Sequence, residues 1–308
     1  MNSFAPDRLD PLYTRAGARR QEAEPQVDMP SHVPQASVAC EHALRYGNDA
    51  GAENSRPQRY GRKLTHWCRN LKTLDELNSA AQNYYFSSQQ TGIDNRCRAR
   101  MIERCLKPAR PGHVLELGFM DGQWTDRFLE MGCRVTAVEG AARNLEFGRA
   151  KYSGRLEVRF VHSTFESFEP EEQYETILMG GILKHLDDPV RLLQRSRAWL
   201  KTGGLLIATT PNARSLHRRI GVYMNLLKDV TDLSPTDKQV GNLRHYDLST
   251  FRSLLTDGGY HIEHIGTAII KPVSSDLMSN WSDELLDALD QVAAEIPDYG
   301  WYIYALCR

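Results

Sequence analysis

Features that would place a protein in a membrane or outside the cell are missing from this sequence of 308 residues. It has no run of about 18 apolar residues, which is the length that a membrane-spanning helix needs. Its first residues carry no apolar segment of the kind found in a secretory signal. None of its six cysteines forms a CxxC pair, and their scatter is typical of reduced thiols. We therefore expect a cytoplasmic protein with no membrane partner and no metal site.

The sequence also lacks an excess of charge of either sign. Its 38 Lys and Arg residues and 39 Asp and Glu residues leave a formal net charge of −1. A protein that binds nucleic acid through its phosphates usually presents a basic face, which this balance does not indicate. We therefore expect no nucleic-acid partner, and the hydrophobic content of 41% is that of an ordinary globular enzyme.

The first sixty residues differ in composition from the rest, since they hold six of the 14 prolines and few aliphatic runs. Such a segment is either a disordered or loosely docked extension or an arm that docks a partner. A weak helical spacing of apolar residues begins near Leu64. The sequence predicts an N-terminal extension over residues 1–85, partly irregular with some helix, followed by a single domain over residues 86–308.

Strands and helices alternate from residue 93 to residue 209, and the last third of the chain departs from simple alternation. Short apolar runs, typical of strands, are separated by longer stretches with helical spacing, and this alternation predicts an α/β fold with a mostly parallel sheet covered on both faces. The strands are predicted at His113–Leu117, Arg134–Val138, Leu156–Val161, Tyr174–Met179, Leu205–Thr209, Tyr260–Ile270 and Trp301–Leu306. The helices are predicted at Ile93–Leu106, Gly122–Met131, Ala141–Ala150, Val190–Leu200, Asp247–Thr256 and Trp281–Glu295.

The first predicted strand carries Glu116 and runs into a turn that contains Gly118 and Gly122. A glycine turn between a strand and a helix leaves backbone N–H groups free and lets a ligand approach the main chain. Glu139 ends the second strand, about 20 residues after Glu116, where a doubly wound sheet places the carboxylate that binds ribose hydroxyls. These four residues predict a nucleoside site at the carboxyl ends of the first two strands.

The same turn discriminates between two classes of nucleoside cofactor. A nicotinamide dinucleotide needs the pattern GxGxxG, with its pyrophosphate on the helix N-terminus. Here the glycines are spaced GxxxG, Met120 stands between them, and Asp121 adds a negative charge. That carboxylate disfavours a pyrophosphate and favours a cationic group. We therefore expect the sulfonium cofactor S-adenosyl-L-methionine.

Residues 114–122, Val-Leu-Glu-Leu-Gly-Phe-Met-Asp-Gly, resemble the first motif of class I S-adenosylmethionine-dependent methyltransferases, although Met120 replaces the usual middle glycine. Residues 135–140 resemble the second motif and residues 174–189 the fourth-strand motif, with Lys184 in place of a glutamate. The resemblance implies a Rossmann-like, seven-stranded, mostly parallel sheet with an antiparallel last strand. The cofactor-binding residues that it implies are Glu116, Gly118, Phe119, Gly122, Glu139, Gly140 and Gly180, with Ser163, Thr164 and Phe165 around the adenine.

Methyl transfer to an amine or a hydroxyl requires that a proton leave the acceptor, so a base is expected near the methyl group. His185 follows the fourth strand at the carboxyl edge, and a neutral histidine ring accepts a proton near pH 7. We select His185 as the catalytic candidate. The competing interpretation is that this ring packs against a loop or orients a neighbour.

Three segments resemble loops of sugar-modifying methyltransferases, including N-methyltransferases of antibiotic biosynthesis: residues 211–219, 241–247 and 271–275. The resemblance implies acceptor-binding insertions near residues 212–246 and 271–297. Acidic residues between 229 and 237, and others between 283 and 290 on the predicted helix after Trp281, would suit a cationic acceptor, but such runs are often solvated surface. The substrate-binding candidates are Tyr84, Tyr85, His217, Asp232, His245 and Tyr246.

The function that the sequence and its resemblance favour is N-methylation of a small-molecule acceptor, an amino sugar or aminoglycoside. One alternative is an O-methyltransferase that acts on a small hydroxyl compound such as a sugar or a quinone. Another is a non-catalytic protein that binds the cofactor and a partner. A nucleic-acid or protein methyltransferase is disfavoured because residues 180–183 read Gly-Gly-Ile-Leu rather than an Asn-Pro-Pro-Tyr type tetrapeptide. A homodimer is compatible with the sequence.

Overall fold

The computed structural model describes residues 88–308, with side chains described from residue 92 onward. The predicted extension over residues 1–85 lies outside the described residues, and so do the candidates Tyr84 and Tyr85. The extension, its boundary with the domain and the roles of the two tyrosines therefore stay predictions.

Strands and helices alternate through the first part of the described domain, as the sequence predicts. The strands are β1 (His113–Leu117), β2 (Arg134–Glu139), β3 (Val158–His162), β4 (Tyr174–Gly180), β5 (Leu200–Pro211), β6 (Ile262–Ile270) and β7 (Gly300–Cys307). The α-helices are α1 (Ser88–Leu106), α2 (Gln123–Glu130), α3 (Ala142–Lys151), α4 (Pro189–Ser196), α5 (Leu216–Tyr223), α6 (Pro235–Gln239), α7 (Leu248–Asp257), α8 (Ser275–Met278) and α9 (Asp283–Glu295). Short 3₁₀ turns are formed by Leu183–His185, Arg197–Trp199 and Pro297–Tyr299.

The seven strands form one sheet in the order β3-β2-β1-β4-β5-β7-β6. The pairings from β3 to β5 are parallel, whereas β7 lies antiparallel between β5 and β6. This confirms the predicted Rossmann-like sheet with its antiparallel last strand. The chain passes from β1 outward to β2 and β3, then returns to β4 on the other side of β1. The topological switch point, where open α/β sheets bind ligands, therefore lies between β1 and β4.

Side chains on the central strands alternate between two apolar clusters, one on each face of the sheet. Leu115 and Leu117 belong to one cluster, while Val114, which precedes them on β1, belongs to the other. All five residues of β1 are buried, as expected for a parallel strand covered by helices on both faces. The rigid sheet holds the carboxyl ends of β1, β2 and β4 at one edge.

A ladder of ion pairs fixes α1 against α9. Arg96, Arg100 and Arg104 are spaced four residues apart on α1, so they share one face of the helix. Arg96 pairs with Asp283 at 2.9 Å, and Arg100 with Asp287 at 2.7 Å. The third arginine, Arg104, pairs with Asp290. These carboxylates on α9, which sequence reasoning offered to a cationic acceptor, are engaged in holding α1 in place.

The last third of the chain contains helices where the sequence analysis predicted loops over the acceptor. This expectation was wrong for α5, which begins within the segment 211–219, and α6 and α8 are further short helices that the sequence analysis did not predict. The helices escaped prediction because they are short, and because α5 buries only Gly221 while α6 buries no residue, so neither shows an apolar face. A local signal was present for α6, since Ser234 and Asp237 form a capping box around Pro235.

Candidate functional site

The turn after β1 contains three residues with positive φ. Gly118, Met120 and Gly122 have φ values of 85°, 53° and 81°. The left-handed region suits glycine, and a side chain there costs about 1–2 kcal/mol. A Cβ at Gly118 would lie 2.9 Å from the Ile182 side chain, so glycine keeps the approach to the turn open. Met120 thus keeps the backbone of a glycine turn while it adds a side chain.

Glu139 ends β2, and its carboxylate reaches the turn. Its Oε2 accepts a hydrogen bond from the Met120 backbone N–H at 3.3 Å, and its Oε1 accepts one from Ala141 at 2.8 Å. The Asn144 amide donates to Oε2 at 3.4 Å. A carboxylate offers about four acceptor positions, so Glu139 can still accept from a ligand hydroxyl.

Glu116 lies on the neighbouring strand, and its side chain points beneath the turn. It is buried, and its carboxyl accepts a hydrogen bond from the Thr125 hydroxyl on α2. Burial raises the pKa of Glu116 to about 8. The nearby carboxylates of Asp121 and Glu139 also raise this pKa, whereas the hydrogen bond from Thr125 lowers it. Glu116 thus connects β1 to the first turn of α2, and its predicted contact with the cofactor stays a prediction.

A cavity of about 280 Å³ opens at the carboxyl edge of the sheet, and we call it the smaller cavity. Five of the predicted cofactor-binding residues line it: Gly118, Phe119, Glu139, Phe165 and Gly180. Phe119 is 2% exposed and its ring packs edge-on against Phe160 at 5.0 Å, so the ring belongs to the core.

The other predicted cofactor-binding residues do not line this cavity. Gly122 ends the glycine turn, and its carbonyl accepts a hydrogen bond from the Tyr152 hydroxyl at 3.1 Å. The Gly140 carbonyl lies 3.2 Å from His162 Nε2. Ser163 lines a separate cavity behind β3, and the Thr164 hydroxyl bonds to Ser167. Their proposed contacts with the cofactor remain predictions.

His185 lies in the 3₁₀ turn after β4 and lines the smaller cavity. Its Nδ1 lies 3.0 Å from the Gly241 carbonyl oxygen. Because a carbonyl only accepts, this bond requires the proton on Nδ1, and the lone pair of a neutral ring is then on Nε2. The arrangement gives His185 one nitrogen for position and one with the chemistry of a base.

A second cavity of about 600 Å³ adjoins the first, and we call it the larger cavity. The residues that line both cavities are Asp94, Arg98, Met120, Asp121, Lys184, Pro211 and Val240. They come from α1, the glycine turn, the turn after β4, the end of β5 and the segment after α6. A molecule in the larger cavity would therefore lie directly beside one in the smaller cavity.

Two of the predicted substrate-binding residues, His217 and His245, line the larger cavity. Asp232 does not, because its carboxylate accepts the backbone N–H groups of Lys228 and Asp229 at 2.8 and 3.0 Å and so caps its own loop. Tyr246 packs against Phe251 in the main apolar cluster, with ring centroids 5.8 Å apart. The structure thus places these two candidates away from the cavity.

His217 is a half-buried ring in the wall of the larger cavity. Burial lowers the pKa of His217 to about 3, and the nearby cations of Lys271 and Arg218 lower it further. Its Nδ1 lies 3.2 Å from the Ser215 hydroxyl, and its ring meets Trp301 edge-on. His217 is therefore neutral at physiological pH and is suited to hydrogen bonding rather than to carrying charge.

Several polar residues in the cavity walls were not selected by sequence reasoning. Asp94 and Arg98 come from α1, which no motif marked; Arg98 donates to Asp121 at 2.8 Å. Lys271 is buried over the Trp301 ring, 3.8 Å from its centroid, and donates to Ser275 at 2.6 Å. Burial lowers the pKa of Lys271. The spacing of four residues between Asp94 and Arg98 indicates that both side chains lie on one face of the helix. Only the packing of α1 shows that this face lines the cavities.

Residues 88–308 contain neither a cluster of metal-ligating side chains nor a membrane-spanning helix. No group of three or more His, Cys, Asp or Glu side chains in that range is arranged to hold a metal ion. No helix in that range combines the length and the apolar character needed to cross a bilayer.

Comparison with known families gives a match over most of the described domain. A family model described as "Methyltransferase domain" matches residues 90–265, which is more than half of the chain. The match begins in α1 and ends in β6, so it includes the glycine turn, Glu139 and the residues shared by the walls of the two cavities.

Curated relatives include proteins described as ubiquinone biosynthesis O-methyltransferases. The one from Ruegeria sp. (strain TM1040) is 32% identical over 148 residues, which cover 46% of this chain and 56% of that protein. The one from Ruegeria pomeroyi is 32% identical over 117 residues, which cover 36% and 47%. The chain spans about half the length of the curated relatives it matches.

Solved structures share the fold at low sequence identity. An S-adenosylmethionine-dependent methyltransferase from Mesorhizobium loti has a TM-score of 0.50 and 19% identity, over 70% of this chain and 100% of that chain. A Thermotoga maritima protein described as a "possible histamine N-methyltransferase" has a TM-score of 0.52 and 15% identity, over 75% and 98%. At these identities the likeness shows the fold alone.

With glutamine in place of Glu116, the free energy of unfolding should fall less steeply with rising pH than it does in the wild type. The folded protein keeps the proton of Glu116 up to a pKa of about 8, whereas the ordinary value is 4.5. Between these values the folded state binds a proton that the unfolded state releases. The free energy of unfolding therefore falls as pH rises, by at most about 1.4 kcal/mol per pH unit from this group.

Chemical unfolding of the ligand-free protein at several values between about pH 5 and about pH 8 measures this effect. Glu116→Gln should show a shallower decline than the wild type. Glu146→Gln, which changes an exposed carboxylate on α3, is the matched control and should keep the wild-type slope. Identical slopes for Glu116→Gln and the wild type would contradict the prediction.

Proposed function

This chain belongs to the methyltransferase domain family, and from that premise we propose that it transfers a methyl group from S-adenosylmethionine to a hydroxyl group of a small molecule. It has the class I fold of S-adenosylmethionine-dependent methyltransferases. The observation that carries the proposal is the pair of adjoining cavities at the carboxyl edge of the sheet. The smaller one suits the cofactor and the larger one suits the acceptor.

The residues of the smaller cavity fit a cationic nucleoside. Its wall contains the carboxylates Asp94, Asp121 and Glu139 and the basic side chains Arg98 and Lys184, which leaves an excess of negative charge. Glu139 would hold the ribose hydroxyls, and the glycine turn would admit the cofactor close to the main chain. When bound, S-adenosylmethionine supplies an activated methyl group on a positively charged sulfur.

The Glu139→Gln variant should bind S-adenosylhomocysteine about ten- to a hundredfold more weakly than the wild type, because hydrogen bonds to a charged acceptor contribute about 1.5–3 kcal/mol. Glutamine keeps the shape of the side chain and one acceptor oxygen for the Ala141 N–H. Calorimetric titration measures the dissociation constant without any acceptor. Glu146→Gln again serves as the control, and an affinity for Glu139→Gln within about threefold of the wild type would refute the role of Glu139.

The walls of the larger cavity are better suited to a neutral or acidic acceptor than to a cationic amino sugar. Its basic side chains are Arg98, Lys184, Arg218 and Lys271, and its carboxylates are Asp94, Asp121 and Asp237. The acids offered by sequence reasoning to an amino sugar are engaged elsewhere, since Asp232 caps its loop and Asp283 pairs with Arg96. Nothing in the charge of this cavity supports the aminoglycoside hypothesis.

The curated relatives support oxygen as the methylated atom. They are described as ubiquinone biosynthesis O-methyltransferases. We therefore prefer a hydroxyl acceptor, such as a quinol, another phenol or a sugar hydroxyl, to an amine. The larger cavity has enough volume for a ring of this size with substituents.

Pairs of acceptors that differ only in hydroxyl versus amine test this proposal. Catechol against 1,2-diaminobenzene, and glucose against glucosamine, are such pairs. With S-adenosylmethionine present, mass spectrometry should find the methyl group on oxygen, together with released S-adenosylhomocysteine. Methylation confined to nitrogen would overturn the choice of acceptor atom, while turnover of any acceptor would dismiss a purely non-catalytic protein.

We further propose His185 as the group that takes the proton from the acceptor. Its Nδ1 is held by the Gly241 carbonyl, and its ring lines the smaller cavity next to Lys184, which lines both. In this arrangement the backbone carbonyl fixes the orientation of the ring, and Nε2 is the nitrogen that can act as a base.

Both His185→Ala and His185→Asn should lower kcat by about a hundredfold or more, because a general base contributes about 10²–10⁴-fold. Asparagine can still donate a hydrogen bond to the Gly241 carbonyl, but it cannot accept a proton at neutral pH. The affinity for S-adenosylhomocysteine should stay within about threefold of the wild type. Recovery of kcat in His185→Asn would show that the ring has only a structural role.

A further inference from the structure

Among the described residues, four buried polar atoms without a hydrogen-bond partner belong to residues that line the larger cavity: Asn95 Oδ1, Asn242 Oδ1 and both ring nitrogens of His245. Asn242 is 6% exposed and the His245 side chain 4% exposed. Most buried polar groups in folded proteins are paired, so unpaired atoms gathered in one cavity wall call for an explanation. A ligand that supplies the missing partners is the simplest one.

The Asp237 carboxylate fixes the orientation of the Asn242 amide. Asn242 Nδ2 lies 2.7 Å from Asp237 Oδ1. A carboxylate oxygen accepts and does not donate, so the amide nitrogen must face Asp237 and the amide oxygen must face away from it. The unpaired atom of Asn242 is therefore a hydrogen-bond acceptor.

The same carboxylate acts on the ring of His245. His245 Nε2 lies 3.1 Å from Asp237 Oδ2, at an angle outside that of a regular hydrogen bond, so the contact is chiefly electrostatic. A negative charge beside Nε2 favours the tautomer with its proton on that nitrogen. In the neutral ring the lone pair is then on Nδ1, which makes a second unpaired acceptor.

Asp237 is itself firmly held. Its Oδ2 accepts hydrogen bonds from the Ser234 backbone N–H at 2.9 Å and from the Ser234 hydroxyl at 2.7 Å. Arg218 lies 3.6 Å away. Although burial opposes ionisation, these bonds and His245 lower the pKa of Asp237 below its usual range, so the carboxylate is charged.

We propose that Asp237 is a positioning residue that presents Asn242 Oδ1 and His245 Nδ1 as a pair of hydrogen-bond acceptors, and that this pair binds a methyl acceptor carrying two hydrogen-bond donors, such as two hydroxyl groups. This inference rests on the proposed function, because it assigns the larger cavity to the acceptor. It deepens that function by stating how the cavity recognises its ligand. One donor group gives affinity, and the second selects against ligands that leave an acceptor atom unpaired.

Calorimetric titration of the protein saturated with S-adenosylhomocysteine tests the proposal. The probes are catechol, guaiacol and veratrole, which share one ring and carry two, one and no hydroxyl donors. The wild type should bind catechol at least about tenfold more tightly than veratrole, with guaiacol between them, since each paired hydrogen bond contributes about a factor of five to ten. Equal affinities, a reversed order or no measurable binding of any probe would overturn the proposal.

Variants separate positioning from general structural support. In Asp237→Asn, Asn242→Leu and His245→Phe the ratio of veratrole to catechol dissociation constants should fall by about threefold or more. Asp232→Asn, the same change as Asp237→Asn in the neighbouring loop outside the cavity, should keep the wild-type ratio. A merely structural role would weaken all three probes alike and leave the ratio unchanged, which would contradict the proposal even if Asp237→Asn failed to fold.

The same titrations distinguish this inference from the proposed function. If the wild-type protein does not bind S-adenosylhomocysteine, the proposed function itself is refuted. Retained S-adenosylhomocysteine binding with no preference among the three probes would refute only the recognition by Asn242 and His245.

Discussion

The backbone of the turn after β1 is the constraint on which the site depends. A turn with three left-handed residues is strained wherever a side chain is present, and here Met120 has that side chain. The Glu139 carboxylate accepts the Met120 N–H and so helps to hold the turn. The residue that we propose for the ribose therefore also supports the turn that the cofactor would approach. Met120 lines both cavities, so the strained position is also the boundary between them.

The walls of the two cavities are connected by main-chain hydrogen bonds. The Leu243 N–H donates to the Lys184 carbonyl at 3.0 Å, and His185 Nδ1 bonds to the Gly241 carbonyl at the same distance. Asn242, between Leu243 and Gly241, faces the larger cavity. The segment that would recognise the acceptor is thus joined to the turn that bears the proposed base. A displacement of either one would change the distance between acceptor and base, which is the quantity on which catalysis by positioning depends.

The sequence was most informative where function follows from the ends of strands. The predicted sheet is confirmed, and Gly118, Glu139 and Gly180 meet at one cavity because parallel register aligns their strand ends. Residues contributed by packing were harder to foresee. Asp94 reaches the site because α1 is held against α9, and no local pattern states that contact. Asp232 was chosen over Asp237 from the same acidic loop, since only the tertiary structure shows which of the two carboxylates lies in the cavity wall.

Glu116 and Glu139 show how two acids on adjacent strands come to differ in chemistry. Glu116 is buried under α2 with the Thr125 hydroxyl as its hydrogen-bond donor, and its raised pKa makes it largely neutral near pH 7. Glu139 lies at the cavity wall and accepts hydrogen bonds from the backbone N–H groups of Met120 and Ala141. A second full charge beneath the turn would repel the carboxylates of Asp121 and Glu139. A neutral Glu116 therefore lets the negative charge of this edge concentrate where a cationic ligand can reach it.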